Sequence, residues 1–327
     1  MKQLLVTVNR KRPCFLPVFL FVLAFLLVGQ SGEAQRLSYS SGQNISPGYE
    51  GWEEDPDGSR WFVFGYMNRN WEDEPNIPVG PENSISPGGP DLGQPTHFLP
   101  RRNRFVFRVP VPDDFSADDE MVWTLSVNGV TEQAFATLRP DYYMDAMIRM
   151  SEGGAIGAGT SNPTIRANTA PVAMVKGADT RSVRVGEPLM LVATATDDGV
   201  PETPRARRER QAASRTSDSG LVGRGRQWRP HYRGTVSTET GLRVSWFVYR
   251  GTGKNVMFDP PQVKVWEDTR TGAYSPWGPH FVLDDPPEDD TWSTTVTFDA
   301  PGTYVLRCRT SDGALDVDHD VTVTVMP

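Results

Sequence analysis

Between residues 302 and 325 the chain alternates in character with a period of two. Tyr304, Leu306 and Cys308 fall on one side of an extended backbone, and Val305, Arg307 and Arg309 fall on the other. Past Ser311-Asp312-Gly313 the same rhythm resumes. Val317, His319, Val321, Val323 and Val325 share one face, and Asp318, Asp320, Thr322 and Thr324 share the opposite one. Two alternating strands joined by a short glycine-containing turn form a terminal hairpin. A hairpin with one apolar side needs a second sheet to cover it.

The rest of the chain is punctuated for the same kind of structure. With 30 Gly and 28 Pro and few long apolar-periodic stretches, short strands and turns are favoured over helices, and the expected class is all-β. Residues 121–138 read as a hairpin whose Asn128-Gly129 supplies a type I′ turn, setting Val127 opposite Val130 and Trp123 opposite Ala134. Residues 61–66 are apolar on both sides, as in a strand covered on both faces. The acidic stretch before them, 53–58, has calcium-loop spacing at its start. Its twelfth position is Phe64 where a bidentate carboxylate is required, so it reads as a turn. Prolines at 75, 78, 81, 87, 90, 95 and 100 predict no regular strand or helix across that region. Arg101, Arg102 and Arg104, at its end, are expected to neutralise Glu72, Asp73 and Glu74 rather than bind an anion.

The expected organisation is two β-sandwich-like domains in tandem, 35–150 and 170–327. A linker over 151–169 is rich in glycine, with Gly153, Gly154, Gly157 and Gly159. Within the second domain, 201–234 holds nine arginines against Glu202, Glu209 and Asp218 and few aliphatics, and reads as a disordered insertion.

Residues 1–34 have the layout of a secretory signal peptide. Lys2, Arg10, Lys11 and Arg12 precede an apolar run over 14–28, and Gly32 and Ala34 stand at cleavage-site positions. The expected destination is periplasmic, cell-surface or extracellular, with membrane contact only through an uncleaved signal segment. Cleavage removes those four basic residues and Glu33, which lowers the net charge by three, from −8 to −11. So acidic a product excludes a general nucleic-acid binder. One cysteine, Cys308, remains, which excludes an intramolecular disulfide.

The second half resembles the PKD and related immunoglobulin-like modules of bacterial surface proteins. The residues that carry the resemblance are Ala170-Pro171-Val172, VGEPLML at 185–191, the tryptophan of VSWFVY at 244–249, and PGTYVLRCRTSDG at 301–313. It implies a seven-stranded sandwich used as a spacer, adhesion or assembly unit without enzymatic activity. It also implies that Trp246 lies in the sandwich core and Tyr304 at a strand corner. Leu306 and Cys308 share the Tyr304 face and complete the expected core. The first half is similar to a segment of uncharacterised secreted bacterial proteins, which carries no activity.

Chemistry is sparse. His97, His231, His280 and His319 form no HxH or HxxxH pair, and no GxSxG, Walker or dinucleotide fingerprint occurs. Cys308 is expected to be a buried small hydrophobe, not a thiol nucleophile. No cofactor is expected, but Asp197, Asp198, Asp312 and Asp316 could gather at a sandwich end as calcium ligands. Trp228, Trp266, Trp277 and Trp292 could stack on sugars. The function expected is a non-catalytic module for interaction or assembly with a protein or glycan of the cell envelope. The alternatives are a carbohydrate-binding accessory protein and a hydrolase with a site at the domain junction, which would need convergent carboxylates or a His–Asp pair.

Overall fold

A computed structural model describes residues 39–152, 162–203, 206–207, 209–210, 212–213, 240–262 and 286–327. The expected signal peptide, residues 153–161 of the glycine-rich linker, most of the arginine-rich insertion, and Trp228, Trp266 and Trp277 lie outside the described residues.

The first sandwich pairs two three-stranded sheets. One has β1 (Ile45–Glu54), β2 (Arg60–Asn68) and β4 (Arg101–Pro110) in the order β1-β2-β4. The other has β3 (Asn83–Ser86), β5 (Met121–Val127) and β6 (Val130–Ala136) in the order β3-β5-β6. The acidic stretch before β2 closes the β1–β2 turn, where Gly58 N donates to Asp55 O and Ser59 N to Asp57 Oδ1. Between β5 and β6, Asn128 and Gly129 take φ of 51° and 77°, and the register sets Trp123 against Ala134 and Val127 against Val130. Strand β2 is covered on both faces. Phe62, Phe64 and Tyr66 enter the inter-sheet core with Phe98, Phe107 and Trp123, while Val63 packs outward on Phe105 and Met144.

The proline-rich stretch is more regular than its prolines suggest. Strand β3 forms inside it, an edge strand whose four residues lie between Pro81 and Pro87 and keep every N–H. Two buried asparagines hold the surrounding chain. Asn83 donates to Ile77 O and Pro95 O and accepts Trp123 Nε1, and Asn68 donates to Asp73 O and Phe98 O. These bonds do what a ladder cannot do for backbone interrupted by proline.

Strand β4 carries a bulge. Its register against β2 shifts between Phe64 and Tyr66, where Arg104, Phe105 and Val106 stand against Gly65 alone, and Phe105, the middle one, has a φ of 51°. Gly65 faces the bulge, and a Cβ there would lie 2.5 Å from Asn103 O.

A short connection follows, with helix α1 (Ala146–Glu152) and the single turn α2 (Pro163–Arg166). The second sandwich then has β7 (Val172–Val175), β8 (Thr180–Arg184), β9 (Leu189–Thr196), β10 (Arg243–Arg250), β11 (Val256–Asp259), β12 (Thr291–Phe298), β13 (Gly302–Ser311) and β14 (Asp316–Met326). Its sheets run β11-β12-β9-β7 and β10-β13-β14-β8. Among the described strands of these sheets β14 and β8 pair in parallel, with Val325 facing Val183. Consecutive strands β7 and β8 thus edge opposite sheets, an immunoglobulin-like order in an all-β molecule. Trp246, Tyr304, Leu306 and Cys308 are buried between the sheets with Leu191, Phe298, Val321 and Val323. At the β12–β13 corner Tyr304 Oη donates to Ala300 O over 3.0 Å. Tyr304→Phe deletes only that bond and is expected to lower the unfolding free energy by about 1 kcal/mol, against roughly 3–5 kcal/mol for Trp246→Ala. Urea titration separates the two, and equal losses would refute the corner's assigned role.

Candidate functional site

The hairpin that closes the chain has a second face, and its chemistry is ionic. Register sets Arg307 opposite Asp320 and Arg309 opposite Asp318. Arg307 Nε and Nη2 lie 2.7 and 2.8 Å from the Asp320 carboxylate, and Arg309 Nε and Nη2 lie 2.8 and 2.7 Å from Asp318. Arg307 also reaches Asp318 at 3.3 Å, and its guanidinium sits 3.5 Å above the Tyr249 ring of β10. These groups are not outside the fold, as their alternation in sequence suggested. Arg309 is 2% exposed and Arg307 7%. The correction has a physical cause: the outer face of this sheet is covered by the first sandwich. Arg307 donates to Val106 O and Arg309 to Phe105 O, both on β4, the edge strand of its sheet. The two arginines thus occupy carbonyls that a further strand would otherwise take.

Electrostatics follow from that burial. Desolvation alone would lower both guanidinium pKa values, but Tyr249, Asp318 and Asp320 around Arg307, and Asp318 and Asp316 around Arg309, outweigh it and both are raised. Burial pushes Asp318 up, but Arg309 and Arg307 overcome it and hold the carboxyl below its usual range. Burial pushes the Tyr249 phenol up to about 12.

The seam continues along β10. Arg250 grips Asp91 at 2.8 and 3.1 Å and donates to Gln94 O, Tyr249 Oη donates to Gly93 O, and Tyr249 O accepts from Thr96 N and His97 N. His97 is buried, with Nε2 2.9 Å from Glu74. Gly253 lies against its ring, which leaves no room for a Cβ. On the other side, Met150 of α1 packs on Ala314 and Leu315 of the β13–β14 turn. Tyr39–Pro327 accordingly pack as one unit.

At the start of β4, two of the three arginines meet an acid other than the three expected. Arg102 and Arg104 approach Glu50 at 2.6 and 3.7 Å, and Arg101 stacks on Trp71 at 4.1 Å. Antiparallel pairing brings β1 and its Glu50 within reach, and Glu74 is engaged by His97.

The four aspartates do not gather at one point. Asp316 joins the seam, 4.0 Å from Arg309, and burial raises its pKa. Asp198 accepts Thr169 N and Oγ1 and Val200 N. Asp312 is wholly buried, and its carboxylate accepts Ala314 N, Leu315 N and Asn168 Nδ2 at 2.5, 2.7 and 2.9 Å. Desolvation, with the nearby Asp197 charge contributing, lifts its pKa to about 6. Asp197 Oδ2 accepts Gly199 N, while its Oδ1 and Asn168 Oδ1 are buried with no hydrogen-bond partner. Among the described residues no three His, Cys, Asp or Glu side chains are arranged to hold a metal ion.

Trp292 is half-buried in register with Ala193, in the inward series of β12 with Thr294, Val296 and Phe298. Cys308 is 1% exposed, and burial pushes its thiol up to about 12. His319 pairs with Asp179 at 2.8 Å, on the face of β14 opposite Asp318 and Asp320. Sequence reasoning missed the seam, although its signal was present. Arg-Cys-Arg at 307–309 faces Asp-His-Asp at 318–320 across a hairpin whose register was readable.

No protein-family model matches the chain, and no curated protein matches it. Among solved structures it is similar to domains 4 and 5 of the S-layer protein SbsC, at 9% identity over 87% of this chain and 98% of that one, with a TM-score of 0.21. It is similar to the D00-D0 domain of intimin at 10% identity over 86% and 100%, with a TM-score of 0.23. Sidekick-1 immunoglobulin domains 1–4 match at 10% identity over 88% of this chain and 51% of that one, with a TM-score of 0.21. Scores this low carry no argument, and the fold assignment rests on the strand order above.

Asp318→Asn leaves two buried guanidinium groups short of a counter-charge and is expected to cost roughly 3–5 kcal/mol, more than the joint replacement of Arg309 by Met and Asp318 by Leu. The folded-state pKa of Asp318 lies below its ordinary 3.8, so the folded protein binds fewer protons. The stabilisation is complete above that value and is lost as pH falls below it through the folded pKa. Chemical denaturation of wild type and Asp318→Asn from neutral pH down through the ordinary carboxylate range, to about pH 3, should show a shallower acid decline in the variant. Parallel declines would contradict the assignment.

Proposed function

We propose that this chain is an exported, non-catalytic β-sandwich protein that serves in interaction or assembly at the cell surface, with its two sandwiches presented as one body. The observation that carries the reading is the state of the junction. A hydrolase would place its cleft there, yet Arg307, Arg309, Asp318 and Asp320 are spent on one another and on β4 carbonyls. A reactive site needs convergent groups left open toward a substrate. The glycan-binding alternative has no comparable support, because Trp292 is half-buried and its three companions lie outside the described residues. Fractionation of cells producing the tagged full chain, followed by crosslinking, tests the proposal. Recovery in envelope or medium, crosslinked to a protein or glycan there, is the expected result. An uncomplexed cytoplasmic protein would end it.

A second reading concerns calcium, and a specific observation favours it. Asp312, Asp197 and Asn168 bring two carboxylates and a carboxamide together at one end of the sandwich, and two of their buried oxygens lack any donor. Such a surplus of acceptors suits a hard, oxygen-seeking cation. Asp198 is engaged by Thr169 and Val200, and Asp316 by Arg309, so the cation would rest on Asp312, Asp197 and Asn168. Addition of calcium at about 1 mM, the range of weak extracellular sites, should raise the thermal midpoint of wild type but not of Asp197→Asn or Asn168→Ala. No shift in wild type would exclude the site.

A further inference from the structure

The second sandwich has two outer faces, and among the described residues only one is covered. The seam covers β10-β13-β14. The face of β11-β12-β9-β7 is open and of unusual composition. Val172, Met174, Met190 and Met257 are 71, 67, 66 and 61% exposed. Between them, register places Thr194 beside Met174, Thr196 beside Val172, Thr295 beside Met190 and Thr297 beside Met257. The side chains of β9 and β12 on this face are Met190, Val192, Thr194, Thr196, Thr291, Ser293, Thr295 and Thr297, none of them ionisable. A charge-free centre is conspicuous on a chain of net charge −8. Exposed methionines adapt to whatever packs on them, and a contiguous apolar patch on a soluble surface marks an interaction site.

What fits the face is indicated by its edges. Within the four described strands Asp259 is the one acid, at the β11 edge in the row of Thr295 and Met190. Lys176 lies at the β7 edge one row away, its N–H donating to Val192 O. Arg181 stands beyond it, hydrogen-bonded to the carbonyls of Lys176, Ala178 and Met190. One edge is therefore acidic and the other basic. A two-fold axis between two such faces, parallel to the strands, lays β11 of one copy over β7 of the other. Asp259 then meets Lys176 twice, within about one 7 Å pleat repeat, and the neutral centres meet without repulsion between two acidic chains. Two eight-residue strands about 26 Å long and two four-residue strands about 13 Å long, about 4.8 Å apart, present about 370 Å². Two copies would bury about 750 Å², the size of a weak, transient contact and not of a permanent one.

We infer that the protein forms a weak, reversible, two-fold symmetric homodimer through the β11-β12-β9-β7 face, centred on Met190 and Met174 and oriented by Asp259 and Lys176. The interface is isologous and closes at two copies. Sedimentation velocity of the full exported chain from about 1 to 200 µM, the range a small interface commands, should show a monomer–dimer equilibrium. Met190→Glu should raise the dissociation constant at least about tenfold, because two buried carboxylates would face each other. Lys176→Glu, on an exposed edge where folding is not at stake, should weaken the dimer, and Lys176→Glu combined with Asp259→Lys should restore it. A wild-type chain that stays monomeric throughout overturns the inference. So does dimerisation unaffected by Met190→Glu, or a charge-exchanged pair no better than Lys176→Glu alone.

Discussion

Two guanidinium groups buried between sandwiches are the constraint on which the arrangement depends. Taking a charge out of water costs several kcal/mol even after relaxation, so an arginine is tolerated inside only with a counter-charge and a partner for its remaining N–H groups. Arg307 and Arg309 have both. Asp318 and Asp320 lie opposite them on β14, and the outward carbonyls of β4 accept what is left. Each side answers a need of the other. The arginines need acceptors, and an edge strand needs its free backbone groups covered. Neither sandwich meets both requirements alone.

That dependence gives meaning to local features that otherwise look like irregularities. The bulge on β4 places Phe105, with its positive φ, at the point where the chain meets Arg309. A non-glycine residue held in that region stores strain, which persists where the surroundings over-determine the backbone. Gly65 makes room for the bulge. The proline-rich loop, pinned internally by Asn68 and Asn83, delivers Asp91, Gly93, Thr96 and His97 to β10. A long loop ordered by its own packing here serves as half of an interface.

Much of the second sandwich was legible in the sequence, because a strand buried on one face must alternate. There the terminal hairpin and the inward set of Tyr304, Leu306 and Cys308, and in the first sandwich the Asn128-Gly129 turn, follow from period and turn chemistry, while the core place of Trp246 follows from the resemblance to immunoglobulin-like modules. The proline-rich region was harder to read. Four residues between prolines suffice for an edge strand, and the bonds from Asn83 that hold it span 6 and 12 positions or come from Trp123, 40 away. The ion pairs show the same limit. Glu50 rather than Glu72 or Asp73 meets Arg102 because strand pairing, not proximity in sequence, decides which charges become neighbours.

The sequence by itself determined the all-β class, the register of its two clearest hairpins and which side chains face the inter-sheet core. These are consequences of local geometry, in which each residue's side is set by its neighbours one and two positions away. Only the tertiary structure decided that the polar face of the last hairpin is buried. Alternation distinguishes two faces, but it cannot say whether the ionic one meets water or a complementary set of charges and carbonyls from a segment some two hundred residues away.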